Sequence, residues 1–180
     1  MLEKKIEDTA VELLRISATE LPQVYMEDLR QKMDSTEGAV GRSQLKNILD
    51  DADLAREESL PMCQDTGVVA FMVKVGDNFP IRSKLNKILI EATKRATEEV
   101  PLRPNAVDMF EGNTGNNVGL RDHVPVIYWE LVEGDDLEII AMPKGGGSSN
   151  IAAHRMLKPG LGLRGVKEFV IESVANAGSL

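Results

Sequence analysis

Residues 61–75 read PMCQDTGVVAFMVKV, and a change of pattern inside that stretch decides the fold. Upstream of Pro61 apolar residues recur at helical spacing, whereas 68–75 is a β-rich, nearly uninterrupted apolar run of the kind a buried strand carries. A strand is therefore predicted to begin just after Gly67. Towards the N-terminus, Leu2, Ile6, Ala10, Leu13 and Leu14 form one stripe of an amphipathic helix over 2–17. Pro22 suits the first turn of a second helix carrying Tyr25, Met26, Leu29 and Met33, ended by Gly38 and Gly41. From Ser43, Leu45, Ile48, Leu49 and Ala52 predict a third helix. Its Asp50, Asp51, Asp53, Glu57 and Glu58 read as a solvated face rather than a metal box.

Towards the C-terminus, Ile81, Leu85, Ile88, Leu89, Ala92 and Ala96 mark a long helix that must stop before Pro101 and Pro104. Residues 103–122 are rich in Asn, Gly and Pro and lack periodicity, which inside a compact domain points to function or disorder. Two strands follow, 124–132 and 137–142, and Glu133-Gly134-Asp135-Asp136 between them suits a hairpin turn. A last helix carries Leu163, Val166, Val170, Val174 and Ala177, with Gly178 placed to cap it. The sum is an α+β fold, helices packed around a small mixed or antiparallel sheet in one domain over 1–180.

Composition narrows the function. A chain of 180 residues with 42% hydrophobic content can bury a core. Its 21 basic against 29 acidic side chains give a net charge of −8, which argues against a nucleic acid or an anionic membrane as partner. An anionic ligand must then be captured locally. No apolar run approaches the roughly 20 residues of a bilayer span, and MLEKKIEDTAVELL is too charged for a signal peptide, so the expected location is cytoplasmic. A single cysteine, Cys63, rules out an internal disulfide framework and cannot alone complete a tetrahedral metal site.

Three loops beside predicted strands concentrate chemistry. Cys63-Gln64-Asp65-Thr66 places a thiol, an amide, a carboxyl and a hydroxyl in succession before Gly67. A lone cysteine is commonly a small buried hydrophobe, but polar neighbours leading into a buried strand must find partners. In Arg103-Pro104-Asn105-Ala106-Val107, Arg103 stands between Pro101 and Pro104, a stiffened backbone suited to a bidentate carboxylate clamp as well as to a plain surface turn. Asn113-Thr114-Gly115-Asn116-Asn117 suits a functional loop or an ordinary one with positive φ. In Pro143-Lys144-Gly145-Gly146-Gly147-Ser148-Ser149-Asn150, backbone N–H groups could converge on a phosphate or a carboxylate. The loop is not a P-loop, because GxxxxGK[ST] is absent, nor a dinucleotide fingerprint. His123 and His154 are isolated and read as surface or partly buried histidines.

PMCQDTG, RPNAV, NTGNN and PKGGGSSN, in this order, resemble the alpha region of the class I iron–sulfur hydro-lyases, the family of class I fumarate hydratase and L-tartrate dehydratase. The resemblance covers essentially the whole chain. It implies a [4Fe–4S] cluster held by three cysteines, with Cys63 as the first ligand. It implies Asp65 as the proton-transfer group, Gln64 and Arg103 as substrate-binding residues, and Gly146 as a backbone donor to a substrate carboxylate. The implied reaction is reversible hydration of fumarate to malate, or dehydration of tartrate.

The same resemblance implies a beta subunit or beta region as partner, a small dicarboxylate substrate and a homo- or hetero-oligomer, with no nucleic acid and no membrane. The two remaining cysteines would follow the glycine loop, so the chain is expected to be a C-terminally incomplete alpha region, inactive by itself. Two departures bear on substrate preference: Ser149-Asn150 stands where an acidic residue is expected in fumarases, and NNVGLRDHVP is more polar than the usual continuation. The alternative is a catalytically inactive dicarboxylate-binding or subunit-interaction domain. A weaker reading, a nucleotide-phosphate binder using Lys144 and the glycines, assigns nothing to Cys63.

Overall fold

The computed structural model of the chain describes residues 1–119 and 123–177. It contains two compact units, Met1–Lys144 and Gly145–Leu180. The first holds helices α1 (Leu2–Thr19), α2 (Gln23–Ser35), α3 (Ala39–Glu58) and α4 (Leu85–Glu99), and strands β1 (Val68–Gly76), β2 (Val107–Asp108), β3 (Gly112–Asn113), β4 (Val126–Val132) and β5 (Leu137–Lys144). The second holds α5 (Gly146–Asn150) and α6 (Gly162–Ala177). The α+β class and the predicted order of elements both stand, and the main sheet is mixed.

That sheet has the order β4-β1-β5. β1 runs parallel to β4, with Phe71 opposite Ile127, and antiparallel to β5, with Phe71 opposite Ala141. Val69, Phe71, Val73 and Val75 all point to one face, the period of two that a strand imposes. There they meet Ile6, Ala10, Val11 and Leu14 of α1 and Leu85, Ile88, Leu89, Ala92 and Ala96 of α4 to form the core. The α1 stripe is therefore slightly rotated from the predicted one: Val11 is buried and Leu2 exposed. A satellite cluster of Met26, Leu49 and Ala52 joins α2 to α3 and takes in Met62. Arg95 on α4 ties the two core-forming helices together at their solvent edge, bonding to Glu7, to Asp8 and to Glu99.

Three expectations need correction. The turn 133–136 does not close a hairpin, because β1 lies between β4 and β5. The four residues instead cross the end of β1, a gap of about 9.5 Å at the usual ~4.8 Å strand spacing, which four extended residues can span. The crossing is held by the main chain: Gly76 N–H donates to Asp136 O (2.8 Å), Asp77 N–H to Val132 O (2.8 Å) and Asn78 N–H to Gly134 O (2.9 Å). Gly76 is obligatory here, since a Cβ would stand 2.2 Å from Gly134 O.

The second correction concerns Gly41, which lies inside α3, so that of the two expected glycine breaks only Gly38 falls in the link 36–38 between α2 and α3. The third concerns 145–150: Gly145 is an N-cap and Gly146 and Gly147 are helical, forming one short turn of five residues rather than an open glycine loop. In the second unit the α6 stripe of Leu163, Val166, Val170 and Val174 is exposed rather than buried. Its expected cap, Gly178, lies outside the described residues.

Candidate functional site

Two of the three loops meet at the N-terminal end of β1. Residues 61–66 carry the chain from α3 into the strand. Met62 N–H donates to Ala18 O at the end of α1 (3.0 Å), which fixes the start of the loop against a rigid element. Cys63 and Gln64 are exposed, and Asp65 and Thr66 are half-buried. Gly67 is buried with φ 85°, a left-handed conformation that costs glycine nothing and turns the chain into β1. Its N–H donates to Asp65 Oδ1 (3.1 Å), a two-residue side-chain turn that orients the carboxylate locally.

The segment 101–106 passes beside this turn with Leu102 and Ala106 buried and Arg103 exposed. Thr66 grips it reciprocally: Arg103 N–H donates to Thr66 Oγ1 (2.9 Å), and the Thr66 hydroxyl donates to Arg103 O (3.2 Å). Asn105 Nδ2 donates to Asp65 Oδ1 (2.9 Å), so that one carboxylate oxygen accepts from both its own turn and the neighbouring loop. Among the described residues, none supplies an ion-pair partner to the Arg103 guanidinium.

The NTGNN segment closes the arrangement. It lies antiparallel to RPNAV, with Asn113 Nδ2 donating to Pro104 O (2.8 Å) and Thr114 N–H to Ala106 O (3.3 Å). Asn117 is 1% exposed with φ 57°, a conformation that asparagine tolerates better than most residues. Its Oδ1 accepts from Asn105 N–H (2.6 Å), while Nδ2 donates to Arg103 O (2.9 Å) and to Thr97 Oγ1 of α4 (3.2 Å). A helix of the core thus holds the Arg103 loop through one buried amide.

Of the residues singled out from sequence, Asp65 and the Arg103 backbone are brought together, and Cys63 and Gln64 lie on the same turn as Asp65. Gly146 lies in the second unit. Sequence reasoning missed Asn105, Asn117 and Thr97 as a connected set; NTGNN read equally well as a functional loop or an ordinary one with positive φ. His123 and His154 are exposed, as expected.

As a metal donor, Cys63 is accessible and carried on a loop anchored to α1. Among the described residues no group of three or more His, Cys, Asp or Glu side chains converges on one point. The donors of this chain therefore fit one corner of a multi-cysteine cluster and not its whole ligand set.

The profile described as Fumarate hydratase (Fumerase) matches residues 7–180. The chain belongs to the fumarate hydratase family. It is 43% identical over 180 residues to a Methanocaldococcus jannaschii protein named "Putative L(+)-tartrate dehydratase subunit alpha", covering 97% of this chain and 62% of that protein. It is 35% identical over 173 residues to the L(+)-tartrate dehydratase subunit alpha of Escherichia coli strain UTI89, covering 95% and 56%, and 34% identical to that of strain K12 over the same shares. The chain thus spans between 56% and 62% of the length of these curated relatives. No described helix is long and apolar enough to cross a membrane.

Proposed function

We propose that this member of the fumarate hydratase family serves in a hydro-lyase alpha subunit that adds water to, or removes it from, a small hydroxydicarboxylate in the cytoplasm. The observation that supports this best is the bonding of the Asp65 turn to the Arg103 loop through Thr66 and Asn105, which fixes a carboxylate and an arginine-bearing backbone on one rigid frame. Elimination of water next to a carboxylate needs a proton-transfer group and a clamp for the anion, and both must be held in register.

In this reading Arg103 takes a substrate carboxylate through two parallel N–H donors, the task for which a planar guanidinium is suited. Gln64 donates to the substrate from the same turn as Asp65. Asp65 holds or moves a proton at its carboxyl group, kept in orientation by Gly67 and Asn105. Local positive groups let a chain of net charge −8 bind an anion. Cys63 would be one thiolate ligand of a [4Fe–4S] cluster, a group that needs more thiolates than the single cysteine of this sequence. Such a cluster supplies, when bound, a Lewis-acid iron that activates the departing hydroxyl. The partner is a beta subunit or beta region, in keeping with the word "subunit" in the names of the relatives.

The test is anaerobic iron–sulfide reconstitution of an alpha subunit of the relatives' full length, together with its beta partner. It is followed by assays with fumarate, L-malate and L(+)-tartrate. The expected result is cluster uptake and turnover of at least one substrate, both lost in Cys63→Ser, with Arg103→Lys raising KM. A second reading, a dicarboxylate-binding or interaction domain without catalysis, is favoured by the single cysteine. It would prevail if neither iron uptake nor turnover occurs while calorimetry still detects L-malate or L(+)-tartrate binding.

A further inference from the structure

We infer that Asn105 is a positioning residue for Asp65: its side-chain amide helps to set the orientation of the carboxylate, and its backbone is itself set by Asn117. The inference rests on the reading of Asp65 as the proton-transfer group.

A carboxylate only accepts hydrogen bonds, so an amide facing it must present Nδ2, which fixes which way Asn105 is turned. Its own main-chain N–H is consumed by Asn117 Oδ1 at 2.6 Å, so the amide swings from a backbone point that cannot drift. Asn117 is anchored in turn to Thr97 of the core helix α4 and to Arg103 O. The same buried amide therefore determines where the Arg103 backbone and the Asp65 carboxylate lie relative to each other.

Residue type is restrictive at position 105. Lys or Arg there would form an ion pair with Asp65, Asp would repel it, and Ser would be too short to reach. Asn105 and Asp65 are both only half-buried, so water could replace a lost bond at little cost in folding. What water cannot reproduce is a fixed direction. The expected signature is a large effect on turnover with a small one on stability, the reverse of what a purely structural asparagine would give.

The experiment has two arms. In the 15N-labelled 180-residue chain, the Asn105 side-chain amide should exchange slowly with solvent and resonate apart from the exposed asparagines, and both properties should vanish in Asp65→Ala. In the reconstituted assembly with its beta partner, Asn105→Ala and the isosteric Asn105→Asp should each lower kcat about 100-fold, the scale associated with misorienting a reacting group. KM should stay within about threefold, because Arg103 remains held by Thr66 and Asn117. Cluster content and thermal midpoint should match the unsubstituted protein.

An Asn105 amide insensitive to Asp65→Ala overturns the inference. So does kcat within threefold of the parent protein in both variants, or a loss of kcat matched by equal losses of cluster and folded fraction. If the parent assembly turns over no substrate, the hydro-lyase reading fails, while the first arm still decides whether Asn105 orients Asp65.

Discussion

The two ends of β1 face the same problem and solve it differently. At each end an irregular segment must be fastened against the strand. At Gly76 the fastening is mostly main chain to main chain, through Asp136, Val132 and Gly134, to which the Asp77 carboxylate, accepting from Gly134 N–H (3.0 Å), and Arg82 Nη1, donating to Asp77 O (2.9 Å), add side-chain bonds. At Gly67 it is done by side chains: Asp65, Thr66, Asn105, Asn117 and Thr97. A backbone-held end constrains little beyond the absence of a Cβ. A side-chain-held end demands particular residues at several places and yields a defined direction for each polar group, which is what a reacting site requires and a plain strand connection does not.

The contrast predicts a ladder of effects. Gly76→Ala should be the most damaging single change, because the new methyl group meets a carbonyl that cannot move without opening the β4–β5 crossing. A loss of about 3 kcal/mol or more is expected in urea unfolding. Survival of the parent midpoint would show that the crossing yields, and the distinction between the ends would weaken.

Asn117→Ala removes three hydrogen bonds at a buried, positive-φ position and should cost about 2–3 kcal/mol. Hydrogen exchange should accelerate at the Asn105 amide and leave Gly76 protected. Uniform acceleration at both ends would mean that they do not behave as separate fastenings.

Thr66→Val keeps the shape and deletes both bonds to Arg103, for about 1 kcal/mol. The measurable consequence is faster exchange at the Arg103 amide. An unchanged rate would assign the holding of that loop to Asn117 alone.

The smallest effect lies outside both ends. The Asp8 carboxyl is held below its ordinary range first by the hydrogen bond from Arg95 and then by that from Lys4. A lowered folded-state value stabilises the protein above the unfolded carboxylate range and is lost as pH falls through the folded value. Acid unfolding of Asp8→Asn should therefore lack a small component present in the parent protein below about pH 4. At neutral pH the α1–α4 packing in that variant should be nearly unchanged, since the core and not the ion pairs holds those helices.

Much of the architecture was legible because it is local. Periodicity marks α1 and α4, Pro101 ends α4, and the apolar run after Gly67 marks β1. The error at 133–136 is instructive: Glu-Gly-Asp-Asp is good turn chemistry for a hairpin and equally good for a crossing, and only the long-range insertion of β1 separates the two. The exposed stripe of α6 shows the opposite limit, since periodicity reports a helix and its apolar face without reporting what meets that face.

At the site, the loops bearing Cys63, Gln64, Asp65 and Arg103 were visible from residue type, and the links among them were not. Asn105 and Asp65 are 40 residues apart, and Asn117 reaches back 20 residues to Thr97. Sequence by itself determined the five longer helices, the three strands of the main sheet, the charge and the chemical groups on each loop, because those follow from short-range periodicity and side-chain identity; β2, β3 and α5 it did not. Tertiary structure alone decided that β1 divides β4 from β5 and that Asn105 faces Asp65, because both depend on which distant segments the folded core brings within hydrogen-bonding distance.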